Sequence, residues 1–331
     1  MNAPSRQRGV ALLVALLVVA IAVILVAALL DRGELALART RNTLRGEQAE
    51  AYAIGLEIYA AQGLIAALGS NEPDTHASPW AQPLPPQEVP GGVIRATMQD
   101  LGGCFNLNNL APAALGGDPA WRPVFDDLLA ALALDPGIAA AVENWLDPAK
   151  ASVVEAARYL AQPLPYRPRG GPFAHVSELR LVRGVDAATY AKLAPHVCAL
   201  PPGTRLNVNT ATPALLQALL DRATPAAAQS LWQNGAARYG SVSEFASQLA
   251  PLGVSLRVPS SLLDVRSSYF LARGDIVLDG VPFTCFSLIE RGQGGVRVLA
   301  RSRGADDVLA AAAPIGADAA ADAAGAVAPA R

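Results

Sequence analysis

The residues of this sequence that could carry nucleophilic, redox or metal chemistry are few and widely spaced. Three cysteines stand at Cys104, Cys198 and Cys285, and no two of them form a close pair of the CxxC kind. Zinc clusters use such pairs because two thiolates from one turn must reach the same ion. The set therefore argues against a zinc cluster, and it permits either three unpaired thiols or one disulfide with one spare thiol.

The three histidines point away from catalysis. His76, His175 and His196 fall in a predicted connector, near a helix start and near a helix end. None has a serine or cysteine in a recognisable nucleophile elbow. The sequence therefore predicts that the chain is not an enzyme. The net charge of −2 also gives no electrostatic footprint for binding a polyanion.

The element that positions everything else is an uncharged apolar run, Val10–Leu30. Its roughly 21 residues span a ~30 Å hydrocarbon core at about 1.5 Å per residue. A cleaved secretory signal has a shorter apolar region and ends in a small-residue cleavage site, which is missing here. Arg6 and Arg8 precede the run, whereas the charges behind it cancel, so the positive-inside bias leaves the N-terminus in the cytoplasm. We expect a single-pass anchor.

The segment after the anchor is also predicted to be helical. Residues 31–68 are rich in Ala, Leu, Glu, Gln and Arg, which are good helix formers. Apolar residues recur at helical intervals and predict one stripe along an amphipathic helix. The stripe consists of Leu35, Leu44, Ala51, Ile54, Ile58, Ile65 and Leu68. Anchor and stripe together predict one continuous helix of nearly 60 residues.

A short basic leader that ends in glycine, followed by such a helix, resembles the N-terminal signature of type IV pilins and pseudopilins. The resemblance implies that residues 1–9 are a leader and that a prepilin peptidase cuts between Gly9 and Val10. It also implies N-methylation of the new terminal Val10. Residues 10–30 are then retained as the transmembrane half of the helix, and residues 31–68 form its periplasmic half.

Val14 departs from the family pattern, in which the fifth residue after the cut is glutamate. A lone charge within the bilayer is costly. The family's glutamate is therefore thought to pair with the terminal amine of the neighbouring subunit. A subunit with Val14 cannot offer this partner to a subunit ahead of it. The K component of the type II secretion pseudopilus has the same departure and caps the tip, so Val14 implies a tip position.

The remaining chain resembles the K pseudopilins along nearly its whole length. The string "DLGGCFNLNNL" matches an element of that family, and four further strings follow in the family's order. They are "NWLDP", "SELRLVRGV", "ALPPGTRLNVNTA" and "SYFLARGDI". The resemblance implies an α+β fold with a pilin-like long N-terminal helix, a small antiparallel sheet and a large inserted α-helical domain of SAM-like, helix-hairpin-helix-like units.

These matches and the turn-forming stretches predict the domain organisation. The predicted order is a Pro-rich connector at 69–92, a sheet strand at 93–103, two SAM-like parts of the inserted domain at 104–205 and 206–260, C-terminal sheet strands at 261–302, and a disordered Ala-rich tail at 303–331. Asn and Thr residues stand just before apolar runs with an early proline in "NLNNLAPAAL" and "NVNTATPALL". We expect them to cap helices and pin backbone.

Two site predictions come from the family resemblance. Family members hold calcium with clustered carboxylates, of which Asp147 and Glu155 remain here, so calcium binding should be weak or absent. Cys104 precedes the first capped helix, and Cys198 lies where the inserted domain returns. Both are expected on the oxidising side of the membrane, which favours a Cys104–Cys198 disulfide with Cys285 in a strand.

The sequence as a whole resembles a K-type minor pseudopilin, anchored in the bacterial inner membrane with its bulk in the periplasm. The resemblance implies assembly at the pseudopilus tip with the I and J minor pseudopilins, and with H, and no binding of nucleic acid. Two alternatives stay open: a minor pilin of a type IV pilus acting in adhesion or DNA uptake, and a membrane-tethered helix-hairpin-helix DNA-binding protein.

Overall fold

The computed structural model describes residues 5–70, 72–147, 149, 153–292 and 294–303, with the side chains of residues 5–9, 153 and 155 left out. The chain divides into two compact units, Met1–Ile54 and Gly55–Arg331. Helix α1, Ser5–Leu68, contributes to both units. The predicted long N-terminal helix is therefore confirmed, and the tail beyond Arg303 lies outside the described residues.

The second unit contains a five-stranded sheet whose neighbouring strands are all antiparallel. Its strands in spatial order are β1 Leu84–Val89, β2 Gly92–Asp100, β9 Tyr269–Leu278, β10 Val281–Gly292 and β11 Gly295–Ser302. The first two strands and the last three are far apart in sequence, and the β2–β9 pairing joins them. The predicted small antiparallel sheet is confirmed.

The Pro-rich segment at 69–92 is more ordered than a plain connector. It contains a 3₁₀ turn at Pro79–Ala81 and the strand β1, which pairs with β2. A strand was not expected here because Pro85 and Pro86 lack the N–H that a central strand must donate. An edge strand tolerates proline, and β1 lies at the edge of the sheet.

A helical domain is inserted between β2 and β9. Its helices are α2 Trp121–Ala131, α3 Gly137–Leu146, α4 Val153–Leu160, α5 Ala187–Leu193, α6 Pro213–Leu219, α7 Pro225–Trp232 and α8 Val242–Ser247. Short strand pairs join its parts: β3 Phe105–Asn106 with β4 Val197–Cys198, β5 Leu206–Asn207 with β8 Leu263–Asp264, and β6 Leu220–Asp221 with β7 Ser255–Leu256. The predicted inserted helical domain is confirmed.

The asparagine-rich string caps a 3₁₀ turn and not an α-helix, with the Asn106 side chain accepting from the Asn108 N–H. Leu107–Leu110 forms a single 3₁₀ turn, and the first α-helix of the domain begins only at Trp121. The Asn side chains compete with helical hydrogen bonding by bonding backbone groups elsewhere. In the second string the capping residue is Thr212, two positions after the Thr210 that the string predicts; its side chain accepts from the Leu215 N–H at the start of α6.

Candidate functional site

The candidate site is an assembly surface along α1. Val10–Leu68 is long and apolar enough to cross a membrane. Val10 and Val14 are exposed on this helix. Gly9 falls within α1 but outside the residues whose side chains are described. Cleavage after Gly9, methylation of Val10 and the tip-specifying role of Val14 therefore stay predictions.

The part of α1 in the second unit has two different faces. One face is buried: Leu56, Ala60 and Leu64 are less than a tenth exposed. Ala60 and Leu64 share a small apolar cluster with Trp80, Phe270 and Ile289. The helix can approach the sheet closely because β9 carries Gly274, where an added Cβ would lie 2.7 Å from Leu56 Cδ1. This face holds α1 on its own sheet.

The opposite face of the same segment is apolar and exposed. Ile58 and Tyr59 are about 60% exposed, and Ile65 is 44% exposed. These residues belong to or adjoin the predicted apolar stripe of the helix. The sheet packs on the buried face instead, through Ala60 and Leu64. The stripe is thus left available for another molecule.

An ion pair fastens α1 to the last strand. Arg301 of β11 donates to both carboxylate oxygens of Glu57 at 2.7 and 2.8 Å, and Ser287 donates its hydroxyl at 2.6 Å. Burial alone would raise the pKa of Glu57, but these hydrogen bonds and the Arg301 charge outweigh it and hold the pKa below its usual value. Sequence reasoning missed this pair, although an isolated acid beside an apolar stripe was a signal for it.

A buried polar cluster joins the sheet to the inserted domain. Arg291 donates to Asp74 and, at 2.7 Å, to the Ser267 carbonyl. Asp100 accepts from the side chains of Ser267 and Thr210 and, at 2.6 Å, from the Gly102 N–H. Burial raises the pKa of Asp100, and the nearby Asp74 charge adds to this effect. This cluster could not be identified from the sequence, because its members are spread over 217 positions, from Asp74 to Arg291.

Asparagines pin the inserted domain from within. Asn108 donates to the carbonyls of Phe173 and Leu200 at 3.0 and 2.8 Å and accepts from the Phe173 N–H at 2.7 Å. Asn209 repeats this arrangement by donating to the carbonyl and accepting from the N–H of Tyr239. Both asparagines are buried. These contacts give the asparagines the backbone-pinning role that the sequence predicted for their strings.

The structure brings Cys104 and Cys198 together as a disulfide with a Cα–Cα distance of 5.8 Å. The two residues adjoin the β3–β4 pairing, so the bond ties the entry of the inserted domain to its return. Cys285 is free and half-buried in β10. Burial raises the pKa of its thiol, which keeps it protonated at neutral pH.

The predicted calcium carboxylates are not brought together by described contacts. Asp147 ends α3, and its side chain accepts from the Ala149 N–H at 2.9 Å. The side chain of Glu155 lies outside the described residues. Among described residues no group of three or more His, Cys, Asp or Glu side chains could hold a metal. Weak or absent calcium binding at Asp147 and Glu155 therefore stays a prediction.

The histidines make contacts that support local structure. His175 caps the 3₁₀ helix Val176–Leu181 by accepting from the Ser177 N–H. The Nδ1 of His196 lies 2.8 Å from Thr212 Oγ1, at the start of α6. Burial lowers the pKa of both His76 and His196. The two residues line a cleft of about 270 Å³ between the sheet and the inserted domain.

Comparison with known proteins agrees with this architecture. Two family models, both described as type II secretion system (T2SS), protein K, match residues 103–202 and 206–266. Type II secretion system protein K of Klebsiella pneumoniae is 35% identical over 305 residues, which cover 86% of this chain and 93% of the relative. Its counterpart in Pseudomonas aeruginosa is 33% identical over 314 residues, which cover 90% of this chain and 93% of that relative.

A solved structure has the same fold. A chain from the crystal structure of the GspK-GspI-GspJ complex of the enterotoxigenic Escherichia coli type 2 secretion system superposes with a TM-score of 0.69 at 30% identity. The superposition covers 80% of this chain and 99% of that chain. The likeness therefore extends over most of this chain and nearly all of a protein that was crystallised in a complex.

Proposed function

The chain belongs to the type II secretion system protein K family, and on that premise we propose that it caps the tip of the pseudopilus and initiates its assembly. It is a minor pseudopilin. Its work is assembly rather than catalysis: it binds other minor pseudopilins, and the growing fibre below it drives the export of folded proteins across the outer membrane.

The observation that carries this proposal is the exposed apolar face of α1. Ile58, Tyr59 and Ile65 stay exposed although the opposite face of the same turns is buried. An aqueous compartment penalises such a face until a partner covers it, at about 25 cal/mol per Å². A second amphipathic helix is the natural cover, because apolar residues at helical spacing fit the groove of a neighbouring helix.

We propose the I and J minor pseudopilins as these partners. The related GspK chain was crystallised as a GspK-GspI-GspJ complex, and its fold covers 80% of this chain. The H pseudopilin would then join below the three. The large inserted domain is compatible with this order only at the end of a fibre, where no further subunit must stack on it.

The N-terminus supports the same position. We propose that a prepilin peptidase cuts between Gly9 and Val10 on the cytoplasmic face of the inner membrane, and that Val10 is then N-methylated. Because Val14 carries no charge, the subunit offers no partner for the amine of a subunit ahead of it. The bulk of the chain, beyond Leu30, would lie in the periplasm.

Co-purification of the full chain with tagged I and J minor pseudopilins tests the proposal. Tyr59→Asp combined with Ile65→Asp should abolish recovery of the three-protein complex, because the new charges would be buried in the helix interface. Leu164→Asp is the matched control, since Leu164 is 83% exposed on the inserted domain. Recovery of the complex with the double variant at the control level would refute the proposal.

A further inference from the structure

Strand β2 has an unpaired edge near its C-terminal end. Its neighbour β1 pairs with it only as far as Ala96. On its other side β2 stays paired with β9 as far as Asp100, and the N–H of Leu101 donates to the Tyr269 carbonyl at 2.9 Å. Main-chain hydrogen bonds alternate in direction along an antiparallel strand. Met98 and Asp100 therefore turn their N–H and C=O groups away from β9, toward a side on which no described strand pairs with them.

This unpaired edge opens into the cleft that His76 and His196 line. Residues 98–100 form one wall, and side chains of the inserted domain form another. The apolar lining includes Trp80, Ala81, Met98, Pro195, Pro213 and Trp232. The volume of about 270 Å³ is nearly twice that of the ~150 Å³ cavity that holds benzene. The cleft therefore has room for an aromatic ring together with a short stretch of extended backbone.

Gln99 supplies a further hydrogen-bond acceptor beside this edge. It lies between Met98 and Asp100 in the cleft lining, and its buried Oε1 atom accepts no hydrogen bond from a described residue. Buried side-chain oxygens are satisfied in most proteins. A rotation of the Gln99 amide would present Oε1 to a donor in the cleft, so the site offers side-chain as well as main-chain hydrogen bonds.

The cleft carries little charge. Burial lowers the pKa of His76 and of His196, so both imidazoles are largely uncharged at neutral pH. The acid of the lining, Asp100, is engaged by the hydroxyls of Thr210 and Ser267. The described lining contains no lysine or arginine. A charged segment would lose its hydration here without gaining an ion pair, so an uncharged segment is the complementary one.

We propose that this cleft takes an extended, uncharged segment of another protein chain, which adds a strand to β2 at residues 98–100 and places an aromatic side chain beside Trp232. Strand addition draws its affinity from main-chain hydrogen bonds, and the pocket for the side chain sets the preference. An aromatic ring suits this pocket because rings pack favourably against the indole walls. The interaction does not depend on the assembly role proposed above.

Amide hydrogen exchange of the full chain tests the proposal, with the capped pentapeptide Thr-Val-Tyr-Val-Thr as the probe. We expect the peptide to slow exchange of the Met98 and Asp100 amides by about tenfold or more, because they gain hydrogen-bond partners. The other edge strand of the sheet, β11, is the control, and its amides should keep their rates. Unchanged exchange at Met98 and Asp100 in about 1 mM peptide, or equal slowing along β11, would overturn the proposal.

Two N-methylated versions of the peptide distinguish an added strand from a ring held in a pocket. Only one edge of an added strand faces β2. N-methylation of one alternate set of peptide amides should therefore weaken binding by about tenfold or more, whereas N-methylation of the other set should leave it nearly unchanged. Equal affinity of the two methylated peptides would also overturn the proposal.

A charge placed in the cleft tests its location. His76→Asp should weaken peptide binding by about tenfold or more, because the carboxylate would be desolvated by the bound segment. Ala77→Asp is the matched control, since Ala77 is exposed and lies outside the cleft lining. The same affinity in the two variants would show that the peptide binds elsewhere and would contradict the proposal.

Discussion

The inserted domain and the pilin-like part of this chain reach stability by different routes. In the inserted domain, large side chains such as Phe105, Phe125 and Phe245 are almost fully buried in one extensive core. In the pilin-like part, the cluster under α1 is small, and Ile58 and Tyr59 stay exposed. The inserted domain therefore buries its apolar side chains within a single chain, whereas the pilin-like part leaves apolar side chains exposed that we expect its partners to cover.

The two regions also differ in how distant segments are fastened. Buried asparagines and a disulfide lock the inserted domain, and each contact joins segments that are tens of residues apart. The pilin-like part uses the Glu57–Arg301 ion pair, whose arginine is largely exposed. Breaking single contacts should therefore cost more in the inserted domain than under α1.

The largest effect is expected from Asn108→Ala. The substitution removes three buried hydrogen bonds and leaves backbone groups of Phe173 and Leu200 without their partner. We expect a loss of about 3–5 kcal/mol in the free energy of unfolding. Thermal unfolding followed by near-UV circular dichroism measures it. Asn144→Ala, at a half-buried position of α3, is the control, and an equal loss in both variants would contradict the asparagine's role.

Removal of the disulfide should come next. Cys104→Ala with Cys198→Ala opens a link between residues 94 positions apart, and we expect a loss of about 2–4 kcal/mol. Cys285→Ser, which leaves the disulfide in place, should cost less than about 1 kcal/mol. Unfolding by denaturant with and without a reducing agent measures both. If the reducing agent leaves the denaturant midpoint of the wild-type chain unchanged, the Cys104–Cys198 disulfide adds no stability.

A smaller effect is expected under α1 from Arg301→Met, which removes the partner of Glu57. We expect a loss of about 1–2 kcal/mol at pH 7. The pKa of Glu57 is lowered in the folded chain, so its contribution is present above its unfolded pKa and is lost as the pH falls through the folded value.

The difference in melting temperature between wild type and Arg301→Met should therefore shrink as the pH falls below about 4.3. Arg95→Met, on β2, serves as the matched control because Arg95 lies on another strand of the same sheet. A difference that stays constant from pH 7 to pH 3 would show that the ion pair does not stabilise the fold.

The smallest effect is expected from calcium. Asp147 and Glu155 are too few to complete a calcium shell, so about 2 mM calcium should raise the free energy of unfolding by less than about 1 kcal/mol. Melting curves with calcium and with magnesium at equal ionic strength measure this. A calcium-specific rise of several degrees that Asp147→Asn removes would show an effective site.

Local features of this fold could be predicted from the sequence, because local chemistry decides them. The apolar run from Val10 predicts a helix, alternating residues from Val265 predict antiparallel strands, and the string "NVNTATP" predicts a capped helix start to within two residues. Each of these signals lies within a few residues of the structure that it forms.

The non-local features could not be predicted in the same way. The pairing of Asp74 with Arg291 joins residues 217 positions apart, and neither residue signals its partner. Strand β1 was missed because Pro85 and Pro86 argue against a strand until its edge position is known. The buried face of α1 could not be assigned from the sequence, because the stronger apolar stripe, which includes Ile58 and Ile65, is exposed in the structure.

Assembly is expected to cover the outward face of α1 and to leave the inserted domain exposed. Thiol labelling of the full chain with Cys285→Ser and either Ile65→Cys or Leu164→Cys tests it most directly, alone and in complex with the I and J minor pseudopilins. We predict that assembly slows labelling at position 65 by about tenfold or more and leaves position 164 unchanged. Equal labelling of position 65 in the free and assembled chain would contradict the account.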